Sequence, residues 1–310
     1  MQDFQSPTPL SPGDKIAIIS PATIVKEEYI DGAARFLKQE GFIPVVMPHA
    51  KGPASGSFAA DDEGRLSDLT DALRNPDIHA ILCARGGYGC NHLISKVPEE
   101  LLRKNPKWLI GFSDVSALHA MQLNAGIQSL HGPMAKHLTE EDPEHYTIRA
   151  MMRLLSQGLP TEYFAAPHPM NIEGEGEGIL VGGNLAVLNG LADTPFDVLK
   201  NVDKMPTILF IEDISEAIYA VERMLLRLAL GGKLQKLKGL IVGNFTEYRP
   251  DRNHPDMETM ISRLLASLPD ITFPVAFGFP VGHTPDNLPL VEGSHAHLTV
   301  TDEGVYLAMT

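Results

Sequence analysis

Cysteine, tryptophan and basic residues are scarce in this chain of 310 residues. Two cysteines, Cys83 and Cys90, are too few for a disulfide framework, and no further Cys lies near them to complete a metal or redox cluster. Aromatic residues make up 6% of the chain, with one Trp, which disfavours a base-stacking platform. Lys and Arg number 25 against 39 Asp and Glu, so the formal net charge of −14 repels phosphate backbones and anionic lipid. We expect neither a nucleic-acid partner nor a membrane-surface role.

Long apolar runs are also missing. No segment approaches the roughly 18 consecutive apolar residues of a membrane span. The first residues, MQDFQSPTPLSPGDK, lack the basic stretch and following apolar run of a signal peptide, so we expect a cytoplasmic protein with reduced thiols. A hydrophobic fraction of 44% excludes bulk disorder. Because single cores stop growing at roughly 250 to 300 residues, the length predicts two domains.

In the first half, short β-branched runs alternate with helical segments. This order predicts βαβ units and a mostly parallel, doubly wound sheet. The strands are predicted at 15–20, 43–47, 80–84 and 108–113, and the helices at 25–40, 61–74 and 115–124.

The pattern of strands and helices becomes mixed in the second half. The run EGEGEG at 173–178 is interpreted most simply as a turn or linker, although a surface hairpin inside one domain fits equally well. We place the boundary near 160–175, with an N-terminal domain at 1–165 and a C-terminal domain at 175–310. Alternation of apolar and polar residues on both sides of 302–304 predicts a closing β-hairpin. The other predicted elements are strands at 207–213, 239–245 and 274–279, and helices at 216–230 and 256–268.

A glycine-rich segment, ARGGYG at 84–89, follows a predicted parallel strand. Ligands bind beyond the carboxyl ends of such strands, and glycines let backbone N–H groups approach them closely. The segment matches neither the dinucleotide fingerprint nor the P-loop, and a tight turn without a ligand explains it as well.

A second segment, IGFSDVSAL at 110–118, leads from a strand directly into a helix. Gly111 permits a sharp turn that exposes Ser113 as a nucleophile, and the N–H of Asp114 at the helix start is suited to stabilise an oxyanion. The alternative is that Ser113 only caps the helix. The second glycine of the G-x-S-x-G elbow is missing, so an α/β-hydrolase is not indicated.

Candidate partners for Ser113 lie far along the chain, in loops after predicted strands. His283 is the candidate general base, with His131 as its competitor. Glu212 is the candidate carboxylate that orients the imidazole, and the sequence does not decide between it and Asp213. A site made of this nucleophile, base and carboxylate requires both domains to contribute to it.

Six segments of the chain together resemble the LD-carboxypeptidases, the serine peptidase family of the murein tetrapeptide carboxypeptidases and the microcin C immunity peptidases. The likeness runs in order over essentially the whole chain. The segments are ARGGYG (84–89), GFSDVSALH (111–119), HGPM (131–134), VGGNL (181–185), LFIEDISEAIYAVERML (209–225) and FPVGHTPDNLPL (279–290).

The resemblance implies a Ser113–His283–Glu212 triad and an oxyanion hole made by the backbone N–H groups of Gly87 and Asp114. It implies a Rossmann-like N-terminal domain and a smaller mixed, β-rich C-terminal domain. It also implies a homodimer that uses no metal or organic cofactor. The implied substrate is a murein tetrapeptide, cleaved between an L-configured centre of diaminopimelate or lysine and a terminal D-alanine during cytoplasmic recycling of the wall.

Arg85 is a candidate for holding the terminal carboxylate of the substrate, because guanidinium pairs bidentately with carboxylate. Its alternative is a structural hydrogen bond to loop carbonyls. The chain departs from the family pattern at 192–206 and 214–222. These departures affect the expected substrate pocket more than the expected triad.

Three other functions stay open at this stage. They are an immunity-type peptidase for acyl-nucleotide conjugates, a non-catalytic binding protein with ARGGYG as an anion nest, and a thiol amidohydrolase using Cys90. The absence of an inserted aromatic loop between 185 and 210 favours the wall peptide over the nucleotide conjugate.

Overall fold

The computed structural model describes residues 4–310, which divide into two compact units. The N-terminal unit comprises 4–159 together with Asn287–Gly293, and the C-terminal unit comprises Pro160–Asp286 and Ser294–Thr310. The change of unit at residue 160 lies at the edge of the predicted boundary region. The return of Asn287–Gly293 to the N-terminal unit differs from the prediction, which assigned all of 175–310 to the second domain.

The secondary structure consists of strands and helices that alternate through most of the chain. The strands are β1 (Lys15–Ile19), β2 (Ile43–Val46), β3 (Ile78–Cys83), β4 (Trp108–Gly111), β5 (Ser129–His131), β6 (Thr161–Ala165), β7 (Gly174–Asn184), β8 (Thr207–Ile214), β9 (Gly239–Thr246), β10 (Val275–Gly282), β11 (Leu290–Glu292), β12 (His295–Val300) and β13 (Val305–Met309). The helices are α1 (Glu27–Gln39), α2 (Asp62–Arg74), α3 (Glu99–Lys104), α4 (Ser116–Asn124), α5 (His137–Glu140), α6 (Tyr146–Gln157), α7 (Leu185–Gly190), α8 (Ile218–Leu230) and α9 (Met257–Ser267).

The N-terminal unit is built on a six-stranded sheet in the order β11-β5-β4-β3-β1-β2. All neighbours are parallel except β11, which runs antiparallel to β5. The central strands β1, β3 and β4 are almost entirely buried, as expected for a parallel sheet covered on both faces. The predicted Rossmann-like domain is confirmed. The sequence did not indicate β5 and β11, because three residues are too few to show a strand period.

The C-terminal unit is built on a seven-stranded mixed sheet in the order β10-β9-β8-β7-β12-β13-β6. The strands from β10 to β7 are parallel, and those from β7 to β6 are antiparallel. The closing hairpin is formed by β12 and β13, with Val300 opposite Val305. The predicted mixed, β-rich architecture is therefore confirmed.

The run EGEGEG is not a linker, because five of its six residues form the first half of β7. Its alternation of Glu and Gly follows the two-residue period of a strand. On one face the backbone of a neighbouring segment approaches so closely that a Cβ on Gly176 would lie 1.8 Å from the carbonyl oxygen of Lys238. On the other face Glu175 and Glu177 are exposed beside His297. The glycines thus serve sheet packing rather than chain flexibility.

We expect Gly176→Ala to lower the free energy of unfolding by about 1 to 3 kcal/mol, because the added methyl group overlaps backbone that cannot move aside. Gly190→Ala is the matched control, since a Cβ there meets nothing within 4 Å. We expect the control to stay within about 1 kcal/mol of the wild type. Urea unfolding of the three proteins measures both values, and equal stability of Gly176→Ala and the wild type would contradict this packing.

Candidate active site

Ser113 lies at the turn between β4 and α4 in a backbone conformation that is unusual for its residue type. Its φ is +66°, in the left-handed region that non-glycine residues rarely adopt. It begins a 3₁₀ turn, Ser113–Val115, and neither this turn nor α4 has a side-chain cap. Ser113 is therefore not a helix N-cap. A strained strand-to-helix turn is the geometry that presents a nucleophile at the edge of a parallel sheet.

The segment ARGGYG at 84–89, here called the glycine loop, follows β3 and packs directly against this turn. A Cβ on Gly86 would lie 2.9 Å from Cβ of Ser113 and 3.1 Å from the backbone nitrogen of Asp114, so only glycine fits. The buried carboxylate of Asp114 accepts a hydrogen bond of 2.8 Å from the backbone N–H of Cys90. The segments that carry the two predicted oxyanion donors, Gly87 and Asp114, are therefore adjacent and tied together.

Thr23, in the segment after β1, also holds this loop. Its hydroxyl accepts a hydrogen bond of 3.1 Å from the N–H of Tyr88, directly after Gly87. No sequence motif singled out Thr23, although its place after a parallel strand was a usable signal. Arg85 is exposed and donates from Nη1 to the carbonyl of Ile24 at 3.2 Å, a structural contact of the kind considered for it.

The candidate base and its carboxylate meet within the C-terminal unit. Glu212, on β8, accepts a hydrogen bond at Oε2 from Nδ1 of His283, with 2.6 Å between the two atoms. Glu212 is fully buried, whereas 14% of the His283 side chain is exposed. This contact leaves Nε2 as the ring nitrogen able to take a proton.

The neighbouring carboxylate, Asp213, points to a different network. Its oxygens accept hydrogen bonds of 2.8 Å from the side-chain amide of Asn184 and from the backbone N–H of Ala186, at the start of α7. Burial raises the pKa of Asp213 to about 6. Because successive residues of a strand face opposite ways, only Glu212 reaches His283.

Asn244, on β9, supports the turn that carries His283. Its side-chain amide donates to the carbonyl of Val281 and to the hydroxyl of Thr284, both at 3.2 Å. The amide thus holds a backbone carbonyl before His283 and a side-chain hydroxyl directly after it. No sequence pattern singled out this asparagine.

The rivals for base and nucleophile are both buried. His131 is fully buried on β5, with its ring centroid 5.7 Å from that of Phe112. Burial raises the pKa of the Cys90 thiol well above its ordinary value, so the reactive thiolate is suppressed. The geometry therefore favours His283 over His131 and Ser113 over Cys90.

His119, on α4, ties the end of β4 to β5. Its Nε2–H donates to the carbonyl of Gly111 at 2.8 Å, and Nδ1 accepts from the hydroxyl of Ser129 at 2.9 Å. The ring is fully buried, and this burial lowers its pKa to about 4. A neutral imidazole thus fixes the backbone two residues before Ser113.

Within 4–310, no group of three or more His, Cys, Asp and Glu side chains is arranged to hold a metal ion. No helix in that range has both the length and the apolar character needed to cross a membrane.

Comparison with known proteins gives matches over most of the chain. The LD-carboxypeptidase N-terminal domain matches residues 16–132, and the LD-carboxypeptidase C-terminal domain matches residues 177–298. The probable murein peptide carboxypeptidase of Bacillus subtilis (strain 168) is 32% identical over 302 residues, which cover 96% of this chain and 92% of the relative. The microcin C7 self-immunity protein of Escherichia coli is 26% identical over 268 residues, which cover 76% of each.

Among solved structures, the crystal structure of muramoyltetrapeptide carboxypeptidase from Oxalobacter formigenes resembles this fold. Its TM-score is 0.82 at 32% sequence identity, and the match covers 95% of this chain and 98% of that chain. Both the sequence and the fold are therefore similar to those of proteins named as carboxypeptidases of murein peptides or muramoyltetrapeptides.

His119 predicts a measurable dependence of stability on pH. Its pKa is about 4 in the folded chain against 6.5 ordinarily, so the unfolded chain binds a proton first as the pH falls. The free energy of unfolding therefore has its full value above pH 6.5 and falls by about 3 kcal/mol as the pH drops towards 4. The Glu and Asp side chains titrate in both the wild type and His119→Gln, so their contribution cancels when the two proteins are compared. We expect the free energy of unfolding of the wild type to fall relative to that of His119→Gln between pH 6.5 and pH 4. Parallel curves would contradict the prediction.

Proposed function

Because the chain belongs to the LD-carboxypeptidase family, we propose that it is a serine carboxypeptidase that hydrolyses the L,D-peptide bond before the terminal D-alanine of murein tetrapeptides. The observation that carries the proposal is the hydrogen bond between His283 and the buried Glu212. This pair has the geometry of a general base held in one tautomer, which is what a serine nucleophile requires. The relatives named as murein peptide carboxypeptidases support the substrate class.

The proposed reaction is acyl transfer in two stages. Nε2 of His283 takes the proton of Ser113 as the hydroxyl oxygen attacks the carbonyl carbon before D-alanine. The N–H groups of Gly87 and Asp114 stabilise the tetrahedral oxyanion, and one such donor is worth about 2.7 to 4 kcal/mol. His283 then donates the proton to the leaving amine, which departs as D-alanine. A water molecule, deprotonated by His283, hydrolyses the acyl-enzyme and restores Ser113.

A carboxypeptidase must also hold the free carboxylate of its substrate. We assign this role to Arg85, which lies beside the glycine loop and is exposed. Binding would require its guanidinium to exchange the carbonyl of Ile24 for the carboxylate. The homodimer and the cytoplasmic location implied by the resemblance stay predictions.

An immunity-type peptidase is the alternative function. It is favoured by the similarity to the microcin C7 self-immunity protein. The same triad would then cleave an acyl-nucleotide conjugate rather than a D-alanine-terminated peptide. The absence of an aromatic insertion between 185 and 210 favours the wall peptide.

The proposal is tested by release of free D-alanine from L-Ala-γ-D-Glu-meso-diaminopimelate-D-Ala. We expect the wild type to release it and Ser113→Ala to lose about a thousandfold or more of kcat, because the nucleophile is gone. Ser267→Ala, an exposed serine on α9, is the control that should keep full activity.

Each other outcome of this assay has a defined meaning. No release by the folded wild type, with cleavage of an aminoacyl-sulfamoyl adenosine, would establish the immunity-type function instead. Equal release by the wild type and Ser113→Ala would show that Ser113 is not the nucleophile. Binding of the peptide without any hydrolysis would support a non-catalytic binding protein.

The two adjacent carboxylates of β8 provide a further prediction. Glu212→Gln should lower kcat by about 10⁴, because an amide does not hold the imidazole in the required tautomer. Asp213→Asn, the matched substitution one residue away, should lower kcat far less and act mainly on stability. Steady-state kinetics with urea unfolding separates the two effects, and a larger kcat loss in Asp213→Asn would reverse the assignment.

A further inference from the structure

Arg65, on α2, is one of the most deeply buried charged side chains of the N-terminal unit, with 1% of its surface exposed. Helical spacing places it on the same face as the buried Leu69, Ala72 and Leu73. A guanidinium on the apolar face of a helix has lost its water and needs several hydrogen-bond acceptors. Its partners therefore indicate why a cation is placed there.

The acceptors of Arg65 come from three separate segments. Nη1 donates to the carbonyl of Pro21 at 2.6 Å and to that of Gly89 at 3.0 Å. Nε donates to the carbonyl of Ala60 at 3.2 Å, and Nη2 donates to Asp62 at 2.5 Å. The guanidinium thus joins the segment after β1, the start of α2 and the far end of the glycine loop.

The glycine loop is shaped to receive this side chain. A Cβ on Gly89 would lie 2.6 Å from Nη1 of Arg65, so a larger residue would displace the guanidinium. Gly87 and Gly89 have φ values of +103° and +136°. Because glycine adopts positive and negative φ with similar ease, these residues give the loop little conformational preference of its own. Contacts from outside must therefore hold its shape.

The anchors of the loop lead to the proposed oxyanion hole. Arg65 holds the carbonyl of Gly89, and the next N–H, that of Cys90, is held by Asp114. Gly86, at the other end of the loop, packs against Ser113. Gly87 lies between these fixed ends, so the direction of its N–H depends on both.

We propose that Arg65 is a positioning residue, which holds the glycine loop so that the N–H of Gly87 is directed at the oxyanion. The inference rests on the proposed function. Arginine suits this role because its donors lie in one rigid plane and its charge is permanent. Lysine has a single ammonium group and does not reach acceptors in three segments at once.

The test compares Arg65→Met and Arg65→Lys with the wild type. We expect kcat for D-alanine release to fall about a hundredfold in Arg65→Met, because small misplacement of a catalytic group has that effect, with KM nearly unchanged. Arg65→Lys should keep the fold, and its kcat should also be lower than that of the wild type. Arg74→Met is the matched control and should retain wild-type kinetics. Arg74 is exposed on the same helix, and within 4–310 its side chain bonds only to Asp71.

Two readouts distinguish positioning from a purely structural role. A peptide boronate that forms a tetrahedral adduct with Ser113 should bind Arg65→Lys more weakly by the factor lost in kcat, whereas affinity for the cleaved tripeptide should not change. Amide hydrogen exchange should accelerate at residues 86–90 in both Arg65 variants and not in Arg74→Met.

Unchanged kcat and unchanged boronate affinity in a folded Arg65→Lys would overturn the inference. Slow exchange at 86–90 in the Arg65 variants would overturn it as well, because the loop would then hold its shape alone. Failure of the wild type to release D-alanine would instead refute the proposed substrate. Exchange at 86–90 would still decide whether Arg65 holds the loop.

Discussion

The close approach of two backbone segments in the N-terminal unit is the constraint on which the candidate site depends. Ser113 adopts a left-handed conformation while the glycine loop packs against it, and there is no room for a side chain at Gly86. Strain of this kind costs about 1 to 3 kcal/mol and persists only where the surroundings enforce it. Here the two segments are held by three hydrogen-bonding side chains, namely the neutral imidazole of His119, the carboxylate of Asp114 and the guanidinium of Arg65.

In the C-terminal unit, strand alternation separates two neighbouring carboxylates that composition alone does not distinguish. Glu212 accepts from His283, whereas Asp213 binds the start of α7 through Asn184 and Ala186. One carboxylate is thereby available to orient a base, and the other stabilises the architecture around it. Both groups lie near the carboxyl end of β8, where this strand pairs in parallel with β7 and β9.

Much of the fold could be predicted because long elements carry a clear period. Strands such as β1 and β3 and helices such as α1 and α2 were expected within a few residues of where they lie. The predictions differed from the structure where local pattern carries little information. The sequence predicts a turn, a linker or a surface hairpin for EGEGEG, since glycine usually marks turns. In the structure most of this run lies in β7, where Gly176 leaves room for the carbonyl of Lys238. The three-residue strands β5 and β11 depend on their sheet neighbours rather than on their own residues.

The sequence by itself determined the two-part organisation, the family, and the candidates Ser113, His283 and the adjacent carboxylates Glu212 and Asp213, because these depend on local period and on ordered motifs. Tertiary structure alone decided which carboxylate meets the imidazole and that Ser113 is not a helix cap. It also decided the return of Asn287–Gly293 to the N-terminal unit. The physical reason is that these features are contacts between residues tens of positions apart, and no local pattern of polarity or propensity encodes the direction in which a side chain finds its partner.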